Sequence, residues 1–529
     1  MNINPMRVRD LARILIAWSA AICVIVISPA VHAAKGLPSP IVETADGPVL
    51  GTVTDTIGTF FGIPYAAPPV GGLRWMPPVA PAPWTTPLDA TAFGSECPQG
   101  SSTDEDCLFL NVYVPTKALE SRRHRYPVMI WVHGGGYVEG AGSQSDPTRL
   151  VTMGNLIVVT INYRLGALGF LAHPALSAES SYGGSGNYGI MDQQFAMRWV
   201  KENIAAFGGN PKNVTIFGES AGGHSMFSNL VSPTAAGLFH RAIIESGSYE
   251  PILPTLAQAE AHGQSFAGAV GCSDQTAACL RAVPVSTVVA NQAMIGIQDL
   301  LGMVATPNID NYILTQSIGT ALSSGQFNRV PVVDGTNHDE VRVFIALAAD
   351  LGAGPLTAAE LPVLADFFFG SNAPAVLAEY PLSDYPSPDL VAATSFTDYL
   401  FSCNALSADQ AMAKFTTTYA YEFADENAPN GSPPVSFPYG ASHAFELQYL
   451  FGATPNPAFA PGQLELSDKM IDAWTNFATD GNPGEGWKPL NRSADGFFES
   501  LVPPKPIHEA VSAFSADHKC SFWLALPAD

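Results

Sequence analysis

Val214-Thr215-Ile216-Phe217-Gly218-Glu219-Ser220-Ala221-Gly222-Gly223 sets a serine between glycines, directly behind an apolar and partly β-branched run. The run reads as a buried strand, and the small residues after it permit an abrupt turn into a helix. Such a strand–turn–helix elbow forces the serine into a strained backbone conformation and lifts its hydroxyl clear of the sheet. Glycines are needed there because a Cβ would collide with the neighbouring strand or helix. In a chain with 47 glycines the five-residue pattern alone is weak, so its weight depends on what accompanies it.

A second strand reading, Pro127-Val128-Met129-Ile130-Trp131-Val132, runs into His133-Gly134-Gly135-Gly136-Tyr137. Three glycines after a strand let successive N–H groups turn towards one point, as the developing negative charge of a tetrahedral intermediate requires. Gly135 and Gly136 are the expected donors, joined by the N–H of Ala221 behind the elbow serine. His133 reads as a structural brace for these glycines.

A serine nucleophile needs a base, and the base needs an acid to orient it. Of eleven histidines, His32 lies in a segment expected to be removed, and His224 is expected to point away on the elbow helix. His443, in the small-residue loop Gly440-Ala441-Ser442-His443, is the strongest candidate. For the acid, Val332-Val333-Asp334-Gly335-Thr336-Asn337-His338-Asp339-Glu340 reads as a strand ending in a polar loop. Asp334, Asp339 and Glu340 are chemically equivalent at this level.

With these residues assembled, the chain resembles the type-B carboxylesterases, the α/β-hydrolase family that includes cholinesterases and fungal lipases. The resemblance extends from about residue 41 to residue 525. It rests on Phe61-Gly62-Ile63-Pro64-Tyr65, Leu73-Arg74-Trp75, Glu105-Asp106-Cys107-Leu108, His133-Gly134-Gly135-Gly136, Asn162-Tyr163-Arg164, Gly186-Asn187-Tyr188-Gly189 and the elbow. It implies Ser220 as nucleophile, Glu340 as acid and His443 as base, although the family's acid loop usually continues with glycine where this chain has Val341. It also implies one large α/β domain: a mostly parallel central sheet flanked by helices, with helical insertions roofing an active-site gorge. No metal or cofactor is implied, because serine ester chemistry needs none.

Composition agrees with a large folded enzyme: 529 residues, 47% hydrophobic and only 13% charged. A net charge of −23 argues against nucleic acid or an anionic membrane surface as partner. A small-molecule ester is the expected partner. Arg7, Arg9 and Arg13 precede the apolar run Ile14–Ile27, and Val31-His32-Ala33 supplies a cleavage point. Residues 1–33 therefore read as a secretory signal too short to span a bilayer comfortably, leaving 34–529 as the exported domain, secreted or periplasmic, with no stable membrane span.

Removing Cys23 with the signal leaves an even set of six cysteines, which suits disulfides in an oxidising compartment. Spacing favours Cys97–Cys107 and Cys272–Cys279, with Cys403–Cys520 as the long closure, and the resemblance implies the same three. Only nine residues, Pro98 to Asp106, separate the first pair and none is aromatic, so neither a choline-stacking loop nor a long lid fits.

Elsewhere, Asp192 to Phe207 places Phe195, Trp199, Ile204 and Phe207 along one helical face, with a stop at Gly208-Gly209-Asn210-Pro211. Residues 251–330 and 345–440 are expected to form the insertions, and Phe367-Phe368-Phe369 reads as core. A catalytically dead binding protein on the same fold is the other functional class. Such proteins lack the nucleophile, whereas all three expected residues are present here. Thioesters, carbamates and amides remain open as substrates, because one oxyanion site serves them all.

Overall fold

The computed structural model describes residues 40–120, 125–249, 251–292, 306–350, 354–490 and 496–527; the expected signal at 1–33 lies outside these. The principal sheet has eleven strands. They are β1 (Thr52–Val53), β2 (Ile57–Pro64), β3 (Phe109–Pro115), β4 (Tyr126–Val132), β5 (Ile157–Ile161), β6 (Gly209–Glu219), β7 (Arg241–Glu245), β8 (Val332–Asn337), β9 (Thr418–Phe423), β10 (Phe497–Leu501) and β11 (Ile507–Ala510). Their spatial order is β11-β10-β9-β8-β7-β6-β4-β5-β3-β2-β1. Strands β4 to β10 run parallel, and antiparallel pairings close both edges. A separate small sheet joins Ile41–Glu43, Pro48–Leu50 and Leu88–Asp89.

The central strands are apolar throughout because both faces are covered. Every residue of β4 and β5 is buried. Alternation divides them between two cores: Val128, Ile130 and Val132 enter one, while Met129 and Trp131 enter the other, where Trp131 packs at a tilt against Phe217.

Helix α1 (Tyr188–Asn203) precedes β6 and continues as a 3-10 turn, Ile204–Phe207, that stops at Gly208 with φ +89°. It begins four residues before the expected start, because Asp192 does not open the helix. Its carboxylate lies in the second turn and pairs with buried Arg164 at 2.7 Å. Trp199, Ile204 and Phe207 are buried as expected, and Phe195 is half-buried. Gly209-Asn210-Pro211 is already part of β6, paired to β4 at Tyr126.

The segment 251–330 carries helices Leu256–Ala269, Ala277–Ala282, Val285–Asn291 and Ile318–Ser324. Residues 345–440 are not wholly insertion, since β9 lies among them and completes the sheet beside β8. One helical run there, Leu361–Glu379, has the length and apolarity to cross a membrane. It turns at Gly370 (φ +49°) and buries Leu364, Phe369 and Val376 in the core. Of the phenylalanine triplet, Phe369 is core, Phe368 is partly buried and Phe367 is exposed.

Strands β4 and β6 are neighbours, with Val132 opposite Gly218. The loops leaving their carboxyl ends therefore meet. In an open parallel sheet that end is where ligand sites are built.

Candidate active site

Ser220 has φ 56° and ψ −122°, between the end of β6 and helix α2 (Ala221–Val231). A side chain held in this region stores strain that the surroundings must enforce. They do so through contacts only glycine allows. A Cβ on Gly222 would stand 2.0 Å from the Val132 carbonyl oxygen, one on Gly218 2.6 Å from the same atom, and one on Gly223 2.5 Å from the Glu245 oxygen. The Ser220 N–H donates to that Glu245 carbonyl at 2.9 Å.

The loop after β4 closes against this elbow. A Cβ on Gly134 would meet the Glu219 carbonyl at 2.8 Å and the Ser220 Cβ at 3.1 Å. Gly135 and Gly136 follow with φ +95° and +58°. His133 is buried and stacks on Tyr163 at 4.5 Å, with Nδ1 2.8 Å from the Gly134 oxygen. Burial pushes its pKa down to about 4, so it is a neutral wedge under the glycines. His224 Nδ1 is 2.8 Å from the Tyr137 hydroxyl, tying the glycine loop to α2. The short disulfide loop adds a second tie, because the Gln99 side-chain amide donates to the Gly140 oxygen (2.9 Å) and accepts from the Gly140 N–H (2.8 Å).

The acid loop leaves β8, and the loop bearing His443 lies against it through the His443 N–H to Glu340 oxygen bond (3.2 Å). His443 Nδ1 stands 2.5 Å from Glu340 Oε2. Glu340 is fully buried, and its other oxygen accepts from the Thr336 hydroxyl and the Asn337 N–H, both at 2.8 Å. Adjacent Asp339 faces elsewhere, pairing with Arg342 at 2.7 Å and accepting from the Ala441 N–H at 3.0 Å. Asp334 is buried within β8 and accepts from the Ser248 hydroxyl at 3.2 Å. Of the three carboxylates the sequence offers, the fold brings Glu340 to the imidazole.

Sequence reasoning missed Glu219. Its Oε1 lies 3.1 Å from His443 Nε2, so the ring is flanked by carboxylates at both nitrogens. Burial disfavours the charged ring, but Glu219 and Glu340 outweigh it and raise His443 to about 9. Burial raises Glu219 to about 7, with His443 pulling down and Glu340 pushing up. Two further buried acids stand near. Burial raises Glu245 to about 8 although the Trp474 N–H bonds it at 2.9 Å, and burial with Glu219 and Glu245 nearby pushes Glu446 well up. A recess beside the elbow helix is lined by His224, Phe227, Ser248, Ile318, Leu322 and Asn404, drawn from α2 and both inserted segments.

The carboxylesterase family model matches residues 38–523. The chain belongs to this family. It is 35% identical over 466 residues to the para-nitrobenzyl esterase of Bacillus subtilis, covering 84% of this chain and 90% of that one. It is 34% identical over 480 residues to the fumonisin B1 esterase of Sphingopyxis macrogoltabida, covering 85% and 84%. A solved thermophilic para-nitrobenzyl esterase superposes with a TM-score of 0.78 at 30% identity, over 91% of this chain and all of that one. This carboxylesterase thus has the α/β-hydrolase fold and acts on carboxylic esters, as its relatives do. Its three expected disulfides are formed: Cys97–Cys107, Cys272–Cys279 and Cys403–Cys520.

Proposed function

We propose that this carboxylesterase cleaves its esters through an acyl-enzyme on Ser220, with His443 as base and Glu340 as the group that orients it. The observation that carries this is the 2.5 Å contact of Glu340 with His443 Nδ1, with Nε2 beside Glu219, the residue next to Ser220 in the elbow. His443 Nε2 takes the Ser220 proton as the hydroxyl oxygen attacks the ester carbonyl. Glu340 holds the tautomer and stabilises the imidazolium. The oxyanion is received by the N–H groups of Gly135, Gly136 and Ala221, at the N-terminus of α2 where the helix dipole favours negative charge. The C–O bond breaks as His443 returns the proton to the alcohol. Water then attacks the acyl-enzyme by the same route and releases the acid. The buried carboxylates Glu219 and Glu340 on either side of the ring favour its positive form, on which both half-reactions depend.

The substrate is a small-molecule carboxylic ester, the class named for its para-nitrobenzyl and fumonisin B1 relatives. Rates over p-nitrophenyl esters of increasing acyl length, with charged and bulky esters included, would define it. A chain that hydrolysed none of these would contradict the reading.

We further propose that residues 1–33 are removed on export, leaving 34–529 as a single catalytic domain. The basic, apolar and small-residue order of the segment supports this, as do three disulfides suited to an oxidising compartment. N-terminal sequencing of protein recovered outside the cytoplasm should begin at or near Ala34; a cytoplasmic product beginning at Met1 would contradict it.

A further inference from the structure

A second cluster of ionisable groups includes His338 of the acid loop, and the ester chemistry does not use it. His338 follows β8, Glu422 lies in β9, and His518 follows the helix Val511–Asp517. One potential ligand atom from each of the three falls within 4.8 Å of the other two. His518 Nε2 is 2.6 Å from Glu422 Oε1, and His338 Nε2 is 3.2 Å from Asp517 Oδ2. His518 and Glu422 are buried, while His338 and Asp517 form the solvent-facing rim.

The second nitrogen of His518 is what separates this cluster from an ordinary ion pair. His518 Nδ1 is 2.6 Å from Asp398 Oδ1, and His338 Nδ1 is 3.2 Å from Asp339 Oδ1. His518 is thus held from behind by Asp398 while its Nε2 meets Glu422, and His338, with Asp339 close to its Nδ1 but not hydrogen-bonded to it, has its Nε2 on Asp517. For His518 that is the arrangement by which proteins orient metal-binding histidines: a carboxylate fixes the tautomer and ring direction and leaves the opposite nitrogen for the metal. Asp398 is itself anchored by the Tyr380 hydroxyl at 2.7 Å, so the backing of His518 is rigid.

We propose that His338, Glu422 and His518, completed by Asp517, form a structural binding site for one divalent transition metal ion, with zinc the best match. Two imidazoles and two carboxylates suit zinc by ligand type and number. Tetrahedral bonds of about 2.0–2.1 Å place ligand atoms roughly 3.3 Å apart. The 2.6 Å His518–Glu422 pair therefore opens by less than about 1 Å, and the His338–Asp517 pair already has the spacing. The ion would tie the loop that carries Glu340 to the C-terminal segment, beside the Cys403–Cys520 bridge, where Cys403 Sγ is 3.3 Å from the His518 oxygen. It would stiffen the acid loop and touch no reacting atom.

The test uses the full mature chain, stripped with a chelator, then dialysed against zinc and desalted. Metal content should return to about one zinc per chain with a raised thermal midpoint, and cobalt in place of zinc should give the visible band of a tetrahedral site. His338→Gln should weaken zinc binding at least about tenfold and abolish the thermal shift. Asp517→Asn, at an exposed side chain, gives the same comparison should the first variant fold poorly. Retention below about a tenth of an equivalent by the unaltered chain, without a thermal shift, would overturn the proposal. So would zinc held equally by the unaltered chain and both variants, which would place the ion elsewhere. Neither result bears on Ser220.

Discussion

Glu219 Oε1 lies 3.1 Å from His443 Nε2, while Glu340 holds the opposite nitrogen of the same ring. One imidazole is therefore clamped between two buried carboxylates. This raises its proton affinity and sets the first prediction. An ordinary imidazole titrates near about 6.5. His443 is pushed up to about 9 against burial by Glu219 and Glu340. The base works only when neutral, so kcat/KM should fall on the acid side with an apparent pKa above the ordinary value. Glu219→Gln removes one of the two charges that favour the imidazolium, so the ring sheds its proton at lower pH and the acid limb should move down by about one unit or more. A pH profile unchanged by that substitution would mean that Glu219 does not act on His443.

The acid is tested by a pair of amides. Glu340→Gln keeps the shape but favours the wrong imidazole tautomer, at a cost on the order of ten-thousandfold in kcat. Asp339→Asn disturbs the contacts to Arg342 and the Ala441 N–H but leaves His443 alone. It should change kcat by less than about tenfold. The reverse pattern would move the acid to Asp339.

The glycine loop makes a graded prediction. Gly136 has open space, a new Cβ meeting only Val138 at 3.9 Å, so Gly136→Ala bears mainly the cost of φ +58°, about 1–2 kcal/mol. A Cβ on Gly135 would stand 2.3 Å from the Glu139 oxygen. Gly135→Ala must therefore displace the loop and its N–H groups, and should lower kcat by about a hundredfold or more. Equal activity in the two alanine variants would argue against these donors.

The elbow was readable from local sequence because strand, turn and nucleophile are contiguous between Val214 and Gly223. The partners of Ser220 were harder, since their roles depend on where β8 ends. With the strand stopping at Asn337, Asp334 is enclosed in the sheet, Asp339 turns to Arg342, and Glu340 meets the ring. Glu219 occupies the variable position of the motif, and nothing local marks it, because its significance arises only when residue 443 arrives beside it. For a related reason the helical position of His224 was legible but not the Tyr137 hydroxyl that its ring meets.

The disulfides should differ in weight. Cys403–Cys520 spans 117 residues and Cys272–Cys279 only 7. Closing loops of these lengths in the unfolded chain is worth about 5 and about 2 kcal/mol in the chain-entropy account. Paired serine substitutions at 403 and 520 should therefore lower the urea midpoint more than those at 272 and 279. Equal midpoints would show that native packing, rather than loop closure, sets the difference.

Steady-state hydrolysis of a p-nitrophenyl ester by Ser220→Ala, beside the unaltered enzyme at the same pH, tests the acyl-enzyme account most directly. Because the three groups act as a unit, kcat should fall by at least about ten-thousandfold while the protein keeps its thermal midpoint within a few degrees. A folded variant that retained a tenth of the original kcat would contradict the account.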